Sequence, residues 1–214
     1  MIKIGELRID ETEKKTCIPL MAETIGDMIL QSKEIKNDTF DLVDFRAECF
    51  TGTVNLSQLW NAMITVSMQF LDDALIFSLR SKCLPAEFMT EKDYNNAIHF
   101  AIKTSLCDAV EIEDFHDADD ILDAVDYAEE MGISTIISHE LQAPLPSQDD
   151  IRECLTKMQQ FNAPILRLYV PETNESDIKK VDAAIAAFRA EHPDTLVLSN
   201  TPGSPIQFLK NPIA

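Results

Sequence analysis

Glycine is scarce in this sequence, with 5 residues among 214. Neither GxGxxG nor GxxxxGK[ST] occurs, so the glycine-rich loops that hold nucleotide phosphates in Rossmann and P-loop proteins are missing. The 5 cysteines lie far apart and form no CxxC pair, which leaves zinc ribbons and thioredoxin-type sites without their ligands. We therefore expect reduced thiols, no metal site and no bound cofactor.

Basic residues are also few, because 18 Lys and Arg face 37 Asp and Glu, for a formal net charge of −19. A chain this acidic repels phosphate backbones and anionic headgroups, which argues against nucleic-acid or membrane partners. No stretch approaches the roughly 20 apolar residues of a membrane span, and the charged start MIKIGELRIDETEKK has no apolar signal segment. A cytoplasmic globular protein is the expectation.

What the sequence does contain is a regular alternation of two patterns. Short apolar runs rich in β-branched residues predict seven strands, at Thr16–Leu20, Leu42–Glu48, Ala74–Arg80, Ala109–Asp114, Ser134–Glu140, Ile165–Val170 and Thr195–Ser199. Segments with helical spacing lie between them, at 23–36, 57–70, 90–104, 118–130, 147–160 and 175–190. Ser57, Thr90, Asp117 and Ser147 are suitable N-caps for four of these helices.

This alternation predicts an α/β fold with a parallel sheet, and no linker divides the chain, so residues 1–214 form one domain. Without a glycine-rich first turn, a (β/α)8-type (TIM) barrel is favoured over a doubly wound sheet. Residues 1–12 are expected to form a short hairpin, and 16–200 the seven strands with their helices. The tail 201–214 is expected to be irregular, so that the barrel lacks its last βα unit.

Polar residues at alternate positions interrupt several predicted strands and therefore share one strand face. Asp44, Arg46 and Glu48 share a face of the second strand, Ser78 and Arg80 of the third. The later strands carry Glu111 and Glu113, then Ser138 and Glu140, then Arg167 and Tyr169. The barrel lumen is the plausible side for them, since charges there can be paired or used. Both outcomes are open: acids that neutralise the arginines, or arginines that bind an anionic ligand.

At these residues the sequence resembles the type I 3-dehydroquinate dehydratases, barrel enzymes of the shikimate pathway that act through a lysine Schiff base. The resemblance rests on CIPLMAET at the first strand, on Asp44-Phe45-Arg46-Ala47-Glu48 for the family's E-W-R-x-D, and on Phe77-Ser78-Leu79-Arg80 for F-T-F-R. The ungapped stretch Ile151–Ile178 adds to it. It covers residues 1 to 200 and implies that Asp44, Arg46, Glu48 and Arg80 contact substrate.

The departures from the family fall on its chemistry. Arg167 stands where the resemblance places the imine-forming lysine, and a guanidinium offers no free amine to a carbonyl. Glu140 stands at the general acid/base position of S-x-H-D, with His139 one residue away; a strand bulge would bring His139 inward instead. Leu84-Pro85-Ala86 replaces a glutamate and Gly-Gly turn, Ser199-Asn200 replaces a Ser-Met pair, and Phe208 lies where an arginine is expected.

The resemblance therefore implies a 3-dehydroquinate dehydratase-like protein that is catalytically impaired at Glu140 and Arg167 and binds a small carboxylate. One alternative is an imine-independent lyase or isomerase, in which Glu140 works with the arginines. Another is a metal-dependent barrel enzyme with Asp44, Glu113, Glu140 and His139 as ligands; a purely structural protein is the last. Because seven strands leave open edges near Leu20 and Leu198, a homodimer is also expected.

Overall fold

The structure, a computed structural model, describes residues 2–9, 13–84, 88–172 and 174–209. A short antiparallel hairpin, β1 (Ile2–Ile4) and β2 (Leu7–Ile9), precedes the main sheet. Within the described ranges, no helix combines the length and apolar character that crossing a membrane would require.

Eight parallel strands form a nearly closed barrel in the order β10-β3-β4-β5-β6-β7-β8-β9. Their bounds are β3 Lys15–Leu20, β4 Leu42–Arg46, β5 Ala74–Ser78, β6 Ala109–Glu113, β7 Ser134–Glu140, β8 Ile165–Tyr169, β9 Leu196–Ser199 and β10 Ile206–Phe208. The predicted TIM barrel with its N-terminal hairpin is confirmed.

Six helices connect successive strands: α1 Ile25–Ile35, α2 Leu56–Gln69, α3 Glu91–Thr104, α4 Ala118–Met131, α5 Gln148–Gln159 and α6 Glu175–Glu191. Thr90 and Ser147 begin α3 and α5 with capping boxes, and the Asp117 side chain caps α4. The cap of α2 is Asn55, whose side chain accepts hydrogen bonds from the backbone of Ser57 and Gln58. The prediction of Ser57 as this cap was therefore wrong by two residues.

The expectation of seven strands and an irregular tail was wrong at Ile206–Phe208. This segment is β10, which runs parallel to β3 with Phe208 opposite Cys17. Pro205 precedes β10, so its missing amide removes no donor from the strand. Its carbonyl accepts a hydrogen bond from the Lys15 amide at 2.9 Å. No helix lies between β9 and β10, and residues 210–214 lie outside the described part of the chain.

The lowest layer of the lumen is apolar, and it fixes which strand residues lie above it. Side chains from all eight barrel strands enter a buried cluster, namely Cys17, Leu42, Ile76, Ala109, Ile136, Ile165, Leu196, Leu198 and Ile206. Ile4 and Ile9 of the hairpin join this cluster and cover the barrel at its N-terminal end. Because strand side chains alternate, the residues two positions further along face the lumen again.

Candidate active site

The layer above the apolar one is polar and almost completely buried. It contains Asp44, Ser78, Glu111, Ser138 and Arg167, each two residues beyond an apolar lumen residue on its own strand. The register places Ser78 opposite Glu111 and Ser138 opposite Arg167, and hydrogen bonds across the lumen join Asp44 to this group. The predicted shared face of these polar side chains is the lumen.

Arg167 is the cation at the centre of this layer. Its Nη1 donates to Glu111 Oε2 at 2.5 Å and to Asp44 Oδ2 at 3.3 Å. The Ser78 hydroxyl donates to Asp44 Oδ1 at 2.5 Å, and it lies 3.2 Å from Glu111 Oε2. Two buried carboxylates and one guanidinium therefore form a hydrogen-bonded ion cluster, the arrangement in which buried charges are tolerated.

Two aromatic rings cover the same guanidinium. Arg167 Cζ lies 4.4 Å from the centroid of the Tyr169 ring and 3.7 Å from that of Phe208. The Tyr169 hydroxyl also donates to Glu111 Oε1 at 2.8 Å, which joins the ring to the ion cluster. Phe208 thus lies beside Arg167, at the position where the family resemblance implies an arginine. Aromatic faces of this kind stabilise a guanidinium that has lost its water.

Burial and the charges of the nearby arginines shift the pKa values of Glu111 and Tyr169. Burial pushes the pKa of Glu111 upward, but the charges of Arg167 and then Arg46 outweigh it and leave that pKa below its ordinary value. Burial also raises the pKa of the Tyr169 phenol well above its ordinary value, so the hydroxyl remains a donor. The polar layer therefore holds its negative charge on Glu111 and its positive charge on Arg167.

The outer layer of the lumen contains the other two arginines, and each has an acidic partner. Arg46 contacts Glu48 through Nε at 2.9 Å and also through Nη2. Arg80 Nη2 donates to Glu140 Oε2 at 2.9 Å, while its backbone amide donates to Glu48 Oε2 at 3.3 Å. Burial is the largest influence on Glu48 and raises the pKa of its carboxyl. Each of the predicted binding residues Asp44, Arg46, Glu48 and Arg80 thus already has a charged partner inside the lumen.

The cleft above these pairs is small. It is lined by Arg80, Lys82, Glu113, Phe115, Ser138, Glu140 and Tyr169, and its cavity volume is about 10 Å³. A volume of that size holds about one water molecule. A ring-shaped carboxylate can enter this cleft only if side chains at its mouth move. The most exposed of the three ion pairs is Arg80–Glu140, with side-chain exposures of 18% and 40%.

The register of β7 decides the question of His139 and Glu140. Ser138 lies opposite Arg167 and Glu140 opposite Tyr169, so Glu140 faces the lumen and His139 faces the helices. His139 Nδ1 lies 2.7 Å from Asp114 Oδ2, and this hydrogen bond, followed by contact with Cys154, raises the pKa of His139 to about 10. The alternative metal set of Asp44, Glu113, Glu140 and His139 is therefore not brought together.

Several features of the site were not anticipated from the sequence. Tyr169 was placed on the right face, but neither its bond to Glu111 nor the stacking of Phe208 on Arg167 was foreseen. The turn after the third barrel strand contains a short 3₁₀ segment at Ser81–Cys83, where the Ser81 amide and hydroxyl bind Glu113. Of the divergent Leu84-Pro85-Ala86, residues 85 and 86 lie outside the described residues.

A family model for the type I 3-dehydroquinases matches residues 16–202, which is most of the chain. The chain belongs to the type I 3-dehydroquinase family. The 3-dehydroquinate dehydratase of Clostridioides difficile (strain 630) is 25% identical over 178 residues, covering 83% of this chain and 70% of the relative. That of Alkaliphilus oremlandii is 27% identical over 183 residues with the same two coverages.

Solved structures of type I 3-dehydroquinases have the same fold. The structure of the Clostridium difficile enzyme with covalently modified comenic acid has a TM-score of 0.88 at 21% identity, covering 97% of this chain and 88% of that one. The 3-dehydroquinate dehydratase of Enterococcus faecalis has a TM-score of 0.88 at 20% identity, with coverages of 97% and 93%. At these identities the likeness establishes the barrel.

Proposed function

We propose that this type I 3-dehydroquinase family member does not carry out the lysine-dependent dehydration of 3-dehydroquinate. The observation that supports this proposal is the position of Arg167 and the contacts of its guanidinium. It stands at the position that the resemblance gives to the imine-forming lysine, and it is held by Glu111 and Asp44 between two aromatic rings. A guanidinium is protonated at every relevant pH and is delocalised, so it cannot add to a carbonyl carbon and lose water to form an imine.

The first prediction tests this proposal directly. After incubation with 3-dehydroquinate and borohydride, the intact mass of the protein is expected to be unchanged, because none of the described lysines lies in the buried polar layer around Arg167 to form a reducible imine. The 3-dehydroquinate dehydratase of C. difficile, treated in parallel, is the positive control. A stable mass increase of one reduced ligand per chain would contradict the proposal.

Parallel samples without borohydride test the imine-independent alternative, because dehydration of 3-dehydroquinate creates a conjugated enone with its own ultraviolet absorbance. Product without a trapped adduct would favour a lyase that uses Glu140. The size of the cleft argues against that reading, since a cavity of about 10 Å³ beside Glu140 does not hold the substrate ring, and a general base must lie within hydrogen-bond reach of the proton that it removes. We therefore expect neither adduct nor product.

For the family's ligand class, we propose that a small carboxylate binds at the mouth of the lumen by taking the place of Glu140 on Arg80. Arg80 Cζ lies 4.2 Å from the centroid of the Tyr169 ring, which fixes the guanidinium independently of its acidic partner. A guanidinium held in this way presents its donors in the planar arrangement that suits a carboxylate. Arg46 and Arg167 are more deeply buried with their acids and are less suited to this exchange.

The second prediction follows from this exchange. Glu140→Gln removes the competing charge, so the affinity for 3-dehydroquinate or quinate is expected to rise about 3- to 10-fold, in keeping with a partly exposed ion pair. Isothermal titration calorimetry measures the change. Glu130→Gln, which alters an exposed acid on α4 and changes the net charge equally, should leave affinity unaltered. Weaker binding by Glu140→Gln, or an equal gain in both variants, would contradict the exchange.

Self-association likewise stays a proposal. The edge of β3, which was expected to be open, is covered by β10. What supports a homodimer instead is apolar surface, since Leu30 on α1, Met68 on α2 and the following Leu71 are each exposed by 60% or more. Apolar side chains of this kind are typical of a contact surface where they form a contiguous patch, and size-exclusion chromatography with light scattering tests whether the chain is a dimer.

A further inference from the structure

Three side chains able to bind a metal ion meet on the outer side of the barrel wall. Asp114 follows β6, His139 lies on β7 and Cys154 lies on α5. One potential ligand atom from each of them lies within 4.8 Å of the other two. Among the described residues this is the only group of three or more His, Cys, Asp or Glu side chains that meets that separation.

This cluster is separate from the lumen. His139 and Asp114 alternate with the lumen residues Glu140 and Glu113, so they point toward the helices rather than toward Arg167. Its residues are only partly buried, with side-chain exposures of 34% for His139 and 16% for Asp114. Solvent therefore reaches the three groups, and the carboxylate binding proposed for the mouth of the lumen uses none of them.

We propose that Asp114, His139 and Cys154 bind one zinc ion, with water as the fourth ligand. A thiolate, an imidazole and a carboxylate are the three ligand types that zinc takes from proteins, and three protein ligands with an open fourth place are a common zinc arrangement. The mixture of one sulfur, one nitrogen and one oxygen favours zinc over calcium or magnesium, which prefer oxygen ligands alone.

The geometry requires only small movements. Zinc-to-ligand distances of about 2.0–2.3 Å place neighbouring ligand atoms of a tetrahedral site about 3.3–3.8 Å apart. His139 Nδ1 and Asp114 Oδ2 are closer than that, at 2.7 Å, because they share a hydrogen bond. Zinc would replace the proton between them, and the thiol would lose its proton at the same time, as metal binding to these ligands requires.

Contacts with the buried core hold Cys154 in position. Its Sγ lies 3.9 Å from Sδ of Met158, one helical turn further along α5, and Met158 is fully buried. The thiol therefore rests on packed core and faces His139 from a rigid helix. Sites built on helices and strands hold their ligands more accurately than sites on loops.

Cobalt is the probe for the test, because Co²⁺ occupies zinc sites and reports its ligands by absorbance. Titration of the full chain with Co²⁺ alone should saturate at one ion per chain, with visible bands of a tetrahedral ion and a thiolate-to-cobalt charge-transfer band in the near ultraviolet. Added Zn²⁺ should displace the cobalt and abolish both signals. Zinc should also raise the temperature of thermal unfolding, since it binds the folded state.

Variants identify the ligands. Cys154→Ser should remove the charge-transfer band and weaken cobalt binding by about 100-fold or more. Loss of a residue that only hydrogen-bonds to a metal ligand weakens metal binding by about 10- to 100-fold. Cys83→Ser, which changes an exposed cysteine outside the cluster, is the matched control and should bind as the unaltered protein does. If Cys154→Ser fails to fold, Asp114→Asn should still weaken binding. Absence of saturable cobalt absorbance, or a charge-transfer band that survives Cys154→Ser, would overturn the proposal and leave a hydrogen-bonded triad.

Discussion

Arg167→Met is expected to lower the free energy of unfolding by about 3–5 kcal/mol, the usual cost of removing one partner of a buried ion pair. The reason is that Glu111 and Asp44 would lose the cation that they share, while both remain buried beside Ser78. Urea unfolding followed by circular dichroism measures the change. The loss should exceed that of most single substitutions at the surface.

Two further variants separate the ion cluster from a general effect of mutation. Arg152→Ala removes an arginine that pairs with Glu191 near the surface, and it should cost only about 0–1 kcal/mol. In a double-mutant cycle, Arg167→Met should cost less when Glu111→Gln is already present, with a coupling of about 1–3 kcal/mol. Additive losses would mean that Arg167 stabilises the barrel through packing rather than through charge.

Restoring the family's two catalytic residues is expected to give at most a trace of dehydratase activity. In the double variant Arg167→Lys, Glu140→His, the introduced amine would lie between Glu111 and Asp44, and two nearby carboxylates keep an ammonium protonated. A protonated amine is no nucleophile. The cleft of about 10 Å³ also leaves little room for the substrate ring, and Phe208 remains in place of a cation. Enone absorbance and borohydride trapping measure the outcome.

A third change shows which obstacle is decisive. Adding Glu111→Gln removes one carboxylate from the introduced lysine, so more of the amine is neutral and a trapped adduct should become detectable as the pH is raised. An adduct that appears only in this triple variant assigns the obstacle to charge. Turnover by the double variant at a rate close to that of the C. difficile enzyme would show that the ion cluster and Phe208 do not block the chemistry.

The sequence was sufficient for the barrel because each strand carries a strong local signal. Ala109–Asp114 and Ile165–Val170 were predicted within one residue of β6 and β8, since β-branched runs bounded by helical spacing have few other interpretations. The eighth strand was missed because Ile206–Phe208 is too short to give a pattern of its own. This segment is a strand because it pairs with β3, which is remote in sequence. Predictions from local residue preferences do not include such a contact.

The site was predictable in its faces and not in its contacts. Strand alternation placed Asp44, Arg167 and Glu140 on the lumen side, because a period of two depends only on the local chain. Which acid neutralises which arginine depends on the relative shift of neighbouring strands, and a separation of 123 residues lies between Asp44 and Arg167. The cluster at His139 was missed for the same reason, since its three ligands come from three elements.

The closing strand also bears on the order in which the molecule folds. Lys14 donates to the carbonyl of Pro202, a contact between residues 188 positions apart, and three residue pairs join β10 to β3 beside it. Bringing such distant segments together has a loop-closure cost in entropy that rises with the length of chain between them, whereas neighbouring βα units meet over short loops. We therefore expect the wall to close last, after the helices and the other seven strands are in place. In that order of folding, Arg167 would acquire the Phe208 ring as its second aromatic face only in the final step.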